Sequence, residues 1–262
     1  MRRKNKKLKS YQNQGRTPPS AIRNLTGWLY TILVMIVLVG GFQWLINTPR
    51  FPIRQIDIAE KNTTTFTHIG NQELEQARQD SITGNIFSVN LNKIKARFEQ
   101  IVWVEQVEVS RVWPDTIAVR IIERQPLALW NDEQLIDTKG KVFDASVNNP
   151  LPKFYGAENS EKTMVKTYAA LQKSLSAVDL TIEKLFCDER HAWQLSLNNG
   201  ITVKLGRDDT QNRINRFVSY WQSTLKPQAG AIDYVDMRYR NGFAVRMNKN
   251  VAEQTADEQQ KK

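Results

Sequence analysis

The 262-residue chain carries 37 basic residues, 27 acidic residues, two histidines and a single cysteine, for a formal net charge of +10. Eight of the basic residues fall within the first 24 positions, where no acid occurs, so the remaining 29 nearly balance the 27 acids and no basic stripe marks a nucleic-acid surface. The lone Cys187 excludes an internal disulfide, so the fold must stand on its apolar core.

Residues 1 to 24 are polar, contain Pro18 and Pro19 and lack apolar periodicity, which is the composition of a disordered tail. From Leu25 to Ile46 the run LTGWLYTILVMIVLVGGFQWLI carries no charge. As a helix it spans about 33 Å, enough to cross a hydrocarbon core of about 30 Å. Trp28, Tyr30 and Trp44 stand near its ends, where amphipathic rings favour the boundary between lipid and water. The run is longer than the apolar core of a cleaved signal peptide and no small-x-small cleavage site follows, so an uncleaved transmembrane anchor is expected. The basic tail keeps the N-terminus in the cytoplasm by the positive-inside rule, and in a bacterium the rest lies outside the inner membrane.

After the prolines at 49 and 52, Ile53, Ile56 and Ile58 suit a first strand. His68 falls in a polar, Thr-rich loop and reads as solvated. Asn71 to Asp80 has helical composition, and Asn90 can cap a second helix that aligns Leu91, Ile94, Phe98 and Ile101. Residues 104 to 130 give the clearest strand signal: Val107 and Val109 alternate with Glu108 and Ser110, Pro114 and Asp115 supply turn chemistry, and Ile117, Val119 and Ile121 answer. Residues 51 to 126 thus read as a β-α-α-β-β unit with two short helices on one face of a three-stranded sheet.

Residues 127 to 248 read as a second, mostly β domain with two packed helices. Short strands are expected at Leu127 to Trp130, Gln134 to Ile136 and Val142 to Phe143, then a helix over Glu161 to Val178 capped by Asn159 or Ser160. Asn198-Asn199-Gly200 turns one hairpin between Ala192 and Leu205. A helix over Asp209 to Leu225 follows, with Ile214, Phe217, Val218, Trp221 and Leu225 on one side. A last hairpin turns at Arg240-Asn241-Gly242, with Val235, Met237 and Tyr239 facing Phe243, Val245 and Met247. Residues 249 to 262 are polar and aperiodic, the composition of a second disordered tail.

No catalytic, cofactor-binding or metal-ligating constellation emerges. His68 and His191 lack a second ligand at metal spacing, and no nucleophile elbow, phosphate loop or zinc-protease motif occurs. Cys187, next to Leu185 and Phe186, reads as a small buried thiol. Asp208 and Asp209, like Glu73 and Glu75, read as charge at helix N-termini. The expected fold is α+β and the expected activity is binding: if the last hairpin forms the border of its sheet, the Tyr239 to Met247 segment offers backbone groups to which another chain can add a strand, the alternative being a guarded edge on which Arg238, Arg240 and Arg246 discourage pairing.

A single anchor followed by β-α-α-β-β resembles the POTRA module. The segment WVEQVEVSRVWPDTIAVRIIERQPLALW, with LIDTKGKVF after it, is similar to the FtsQ/DivIB family of bacterial cell-division proteins over essentially the whole exported part. The resemblance implies a non-enzymatic divisome assembly protein at the septum. It also implies that the C-terminal strand docks FtsB, which comes with FtsL, and that the POTRA domain takes part in recruitment. Carried onto YVDMRYRNGFAV, it puts Tyr239, Asn241, Gly242 and Phe243 on the docking edge and Arg238 where it meets an acidic partner residue. It also makes Arg190, beside the Trp193 strand, a second candidate cation. The alternatives are a POTRA protein of a secretion or outer-membrane assembly system, which would carry several such units or a barrel, and an anchored cell-wall enzyme.

Overall fold

A computed structural model of the chain describes residues 20–47, 52–61, 65–79 and 85–248. The tails expected to be disordered lie, for residues 1–19 and 249–262, outside the described residues. Helix α1 runs over Ser20–Asn47, and no side chain from Gly27 to Trp44 is buried against the rest of the protein. It begins five residues earlier than expected, so residues 20–24 are helical. Nothing after Pro18-Pro19 breaks a helix, and backbone bonding continues through the polar residues at its start. Within the apolar run the Thr31 hydroxyl donates to the Trp28 carbonyl at 2.8 Å, which satisfies it without water.

The POTRA-like unit contains β1 (Gln55–Glu60), α2 (Asn71–Gln79), α3 (Leu91–Phe98), β2 (Val104–Val112) and β3 (Thr116–Glu123), with sheet order β1-β3-β2. β1 runs parallel to β3, with Ile56 opposite Ile117, and β2 is antiparallel to β3, with Val107 opposite Ile121. Ile94 and Phe98 of α3, with Leu74 and Ala77 of α2, close over Val107, Ile117, Val119 and Ile121. Asn90 caps α3 as its sequence suggests, Oδ1 accepting from the amides of Asn92 (3.0 Å) and Lys93 (3.2 Å). Ile101, expected on the same helical stripe, lies beyond the last turn of α3.

His68 is not solvated as expected. Its ring stacks on Trp103 at 4.1 Å and 10°, and its Nδ1 lies 3.2 Å from the carboxylate of Glu123. That buried carboxylate accepts from the amides of Thr67 (2.8 Å), His68 (2.5 Å) and Ile69 (3.2 Å), so the loop is wrapped around a charge at the end of β3.

The second unit is a nine-stranded sheet. Its strands are β4 (Pro126–Trp130), β5 (Gln134–Asp137), β6 (Val142–Phe143), β7 (Lys153–Tyr155), β8 (Ile182–Cys187), β9 (Trp193–Leu197), β10 (Thr202–Gly206), β11 (Ile232–Asp236) and β12 (Ala244–Met247). From one border to the other they lie in the order β12-β11-β10-β9-β8-β7-β4-β5-β6. Helix α4 (Glu161–Leu175) crosses between parallel β7 and β8, and α5 (Thr210–Tyr220) between parallel β10 and β11. Two right-handed crossovers stepping the same way put both helices on one face, where Ser174 of α4 donates to Asn215 of α5 at 2.9 Å.

Beneath them Met164, Leu171, Ile214, Phe217 and Trp221 meet Leu185, Leu195, Leu197, Val203, Leu205 and Val235. β7 and β8 were not legible in the sequence. The Asn-Gly hairpin forms as expected, with Gly200 at φ +82 and every residue of the Trp193-Leu195-Leu197 and Ile201-Val203-Leu205 sets buried. Ser160 starts α4 without bonding its amides; its hydroxyl donates to Ala157 O instead.

Candidate functional site

β12 is the outermost strand at one border of the large sheet. Its register pairs Ala244 with Asp236, Val245 with Val235 and Arg246 with Tyr234, and all four of its residues are exposed. The Asn248 amide donates to Ala231 O at 2.7 Å. Strand alternation then turns the backbone of residues 244, 246 and 248 toward β11 and that of Val245 and Met247 outward. Among the described residues no strand lies beyond them.

The segment leading into β12 is a seven-residue loop, residues 237 to 243, held from beneath by α5. Nη1 of Arg216 donates to Arg240 O at 2.6 Å, and Nη2 donates to Met237 O at 3.0 Å and Tyr239 O at 2.7 Å. One turn further along α5, the Tyr220 ring lies 5.1 Å from that of Phe243. On the other side Asp236 accepts from the Arg238 amide at 3.0 Å, and its carboxylate grips the guanidinium through Nε (2.9 Å) and Nη2 (2.6 Å). The Arg238 hydrogen bond holds the Asp236 carboxyl below the usual carboxylate range, against the opposing effect of burial. Gly206, at φ +73, makes room: a Cβ there would stand 3.0 Å from Arg238 Cγ.

This loop corrects the expected tight hairpin. Tyr239, Asn241, Gly242 and Phe243 lie in the loop before the edge strand, not on it, and Tyr239 is exposed while Val235 and Met237 are buried. The physical reason is that side chains, not a hairpin ladder, satisfy the loop's polar groups: Asp236 takes an amide and Arg216 takes three carbonyls. Arg238, expected to meet an acidic partner residue, is engaged by Asp236 of its own chain. Arg190 is exposed in the turn between β8 and β9, where its amide donates to Asp188 Oδ1 at 3.0 Å. That turn lies at the same end of the sheet as Gly206, which is paired with Trp193, but β10 and β11 stand between it and β12. Arg216 and Tyr220 were missed because the helical pattern offers them only as polar-face residues.

Elsewhere the described residues contain no group of three or more His, Cys, Asp or Glu placed to hold a metal ion. Burial, with the neighbouring Asp188, pushes the Cys187 thiol up, away from the reactive thiolate. Glu73 accepts from the Gly70 amide at 3.2 Å at the start of α2, and Asp209 accepts from the Asn212 side chain at the start of α5.

Residues 51–124 match the family model for the FtsQ-type POTRA domain, and residues 128–238 match that for the C-terminal part of the cell division protein FtsQ/DivIB. The chain belongs to the FtsQ/DivIB family of cell-division proteins. It is 34% identical to the cell division protein FtsQ of Neisseria gonorrhoeae over 227 residues, covering 86% of this chain and 92% of that one. To FtsQ of Burkholderia pseudomallei it is 36% identical over 225 residues (83% and 88%), and to FtsQ of Aliivibrio fischeri 31% over 232 residues (85% and 88%). Family membership and α1, the one helix among the described residues long and apolar enough to cross a membrane, identify a single-pass membrane protein with a role in division. They set aside the secretion and outer-membrane alternative. Among FtsQ-type features here, the POTRA match takes in β1 to β3, and the C-terminal match ends at Arg238, before β12.

Proposed function

We propose that this protein is a non-enzymatic divisome assembly factor, anchored by α1 with its N-terminus in the cytoplasm, that collects FtsB together with FtsL outside the inner membrane at the septum. Strand addition at β12 is the binding mode. The observation that carries this reading is the outward-facing backbone of Val245 and Met247 on an exposed border strand, delivered by a loop that Arg216 fastens. Tyr239 and Phe243 flank the strand as apolar contacts, and Arg240, Asn241 and Arg246 supply a polar rim suited to an acidic partner.

Proline at position 245 removes only an N–H that faces away from β11, so the fold tolerates it as border strands tolerate proline. Binding of the FtsB–FtsL pair to the full-length Val245→Pro variant should weaken by about tenfold or more, because a ladder bond is lost and the incoming strand meets a ring. Unchanged binding by a folded Val245→Pro variant would sink the strand-addition reading. A periplasm-dependent reporter fused after Met247 should be active, and activity confined to the cytoplasm would reverse the topology.

A further inference from the structure

Outside α1 and the β12 border, three large apolar side chains stand exposed together at one end of the POTRA domain: Phe87 (37%), Val112 (48%) and Trp113 (58%). The Phe87 and Trp113 rings lie 5.0 Å apart. Isolated exposed apolar residues are ordinary on a protein surface, but a contiguous aromatic cluster marks a contact surface.

The cluster sits on a fixed platform. The Asn85 side chain accepts from the amides of Phe87 (3.0 Å) and Ser88 (2.9 Å), and Arg111 of β2 donates to Ile86 O (2.8 Å) and Val89 O (2.9 Å). The amides of Phe87 and Ser88 and the carbonyls of Ile86 and Val89 are therefore satisfied within the protein, which lowers the cost of moving the patch out of bulk water.

Chain connectivity fixes which way this end faces. Pro52 bridges Asn85, and the Arg54 amide donates to Asp115 O at 2.9 Å in the β2–β3 turn. The chain therefore arrives from α1 beside the cluster. Helix α1 ends at Asn47, and five residue steps to Pro52 span at most about 18 Å. The polar layer of one leaflet is about 6 Å thick. β1 and β3 then run away from this end, so the second domain is attached at the opposite one.

We propose that Phe87, Val112 and Trp113 form a second membrane contact, seated in the outer-leaflet interface beside the helix and fixing the tilt of the POTRA domain on its anchor. The occupant is lipid: the patch is aromatic and aliphatic, Trp is a residue of the interface, and the exposed Arg54 borders it where a headgroup would lie. The proposal rests on α1 spanning the bilayer.

Trp103 and Trp113 flank β2, about 30 Å apart at the rise of an extended strand, which supplies an internal control. The full chain, with 5-fluorotryptophan, is placed in nanodiscs of phosphatidylethanolamine and phosphatidylglycerol containing lipid spin-labelled near the top of the acyl chain. Each fluorine resonance is assigned by Trp→Phe replacement. The Trp113 signal should be lost together with those of Trp28 and Trp44, while Trp103 persists. Persistence of Trp113, or equal loss of Trp103, would overturn the contact. Persistence of Trp28 and Trp44 would overturn the anchor itself and the contact with it.

Discussion

At one border of the nine-stranded sheet, β6 is two residues long and Phe143 is buried; at the other, β12 exposes all four of its residues. The covered border is closed by the POTRA domain. The Trp103 ring meets Phe143 edge-on at 5.3 Å, and the Arg124 guanidinium lies 5.0 Å over the same ring. Arg124 also donates to Asp137 at 2.8 Å and to Val104 O at 2.9 Å, while Asp137 accepts from the amides of Lys139 and Lys141. Lys139 bonds Glu105 across the same seam. One sheet thus has one border shut by a domain and a buried ion pair, and one that is open among the described residues, with its approach loop fastened. Openness at β12 is a property of that border, not of the sheet, and sheet borders left uncovered serve most naturally for strand addition.

The largest effect should come from breaking the closed border. Asp137→Ala leaves Arg124 buried without its carboxylate and should cost about 3–5 kcal/mol, read from urea unfolding of the full chain. Replacing both partners with apolar residues of similar size, Arg124→Met with Asp137→Leu, should recover only part of it, since the desolvation cost of the pair disappears but the amides of Lys139 and Lys141 and the Val104 carbonyl still lose their partners. At the open border Arg216→Ala should act on binding more than on stability: the loop loses three carbonyl contacts, and affinity for the proposed partner, FtsB with FtsL, should fall about tenfold, or about 1.4 kcal/mol. Arg216→Lys should not restore it, because a single ammonium cannot span carbonyls that a fork spans.

The smallest effect is a pH dependence confined to the open border. The folded-state pKa of Asp236 is lowered from 3.8 by its hydrogen bond to Arg238, so its grip on Arg238 stabilises fully above 3.8 and is lost only as pH falls through the lower folded-state value. Protection of the Arg238 amide, taken relative to its intrinsic exchange rate, should fall only as pH drops below the ordinary carboxylate range. In Asp236→Asn that acid-dependent step should vanish, with faster exchange already present at neutral pH.

The closed and open borders also differ in how far the sequence revealed them. Strands with strict alternation were legible: Val107 and Val109, the Ile117-Val119-Ile121 set, and the Trp193 to Leu205 hairpin. β7 and β8 were not, because β7 is three residues placed directly after Pro150-Leu151-Pro152, and β8 mixes Glu183 and Lys184 into a short apolar run. The role of His68 was hidden because its partners, Trp103 and Glu123, are far away in sequence. At β12 the border was legible and the turn was not. Arg240-Asn241-Gly242 has hairpin composition, yet Asp236 takes an amide at the start of the loop and Arg216, more than twenty residues upstream, takes three of its carbonyls from outside the local sequence. Gly242 accordingly does not take the left-handed φ of a tight hairpin turn.

Site-resolved amide exchange on the full chain, with and without FtsB–FtsL, tests strand addition at β12 most directly. Alone, Val245 and Met247 should exchange fast while Ala244 and Arg246, bonded to β11, exchange more slowly. With the partner bound, Val245 and Met247 should slow by about a hundredfold or more, which gives protection at alternate residues that only a new strand produces. Binding that leaves Val245 and Met247 exchanging as before would contradict the account.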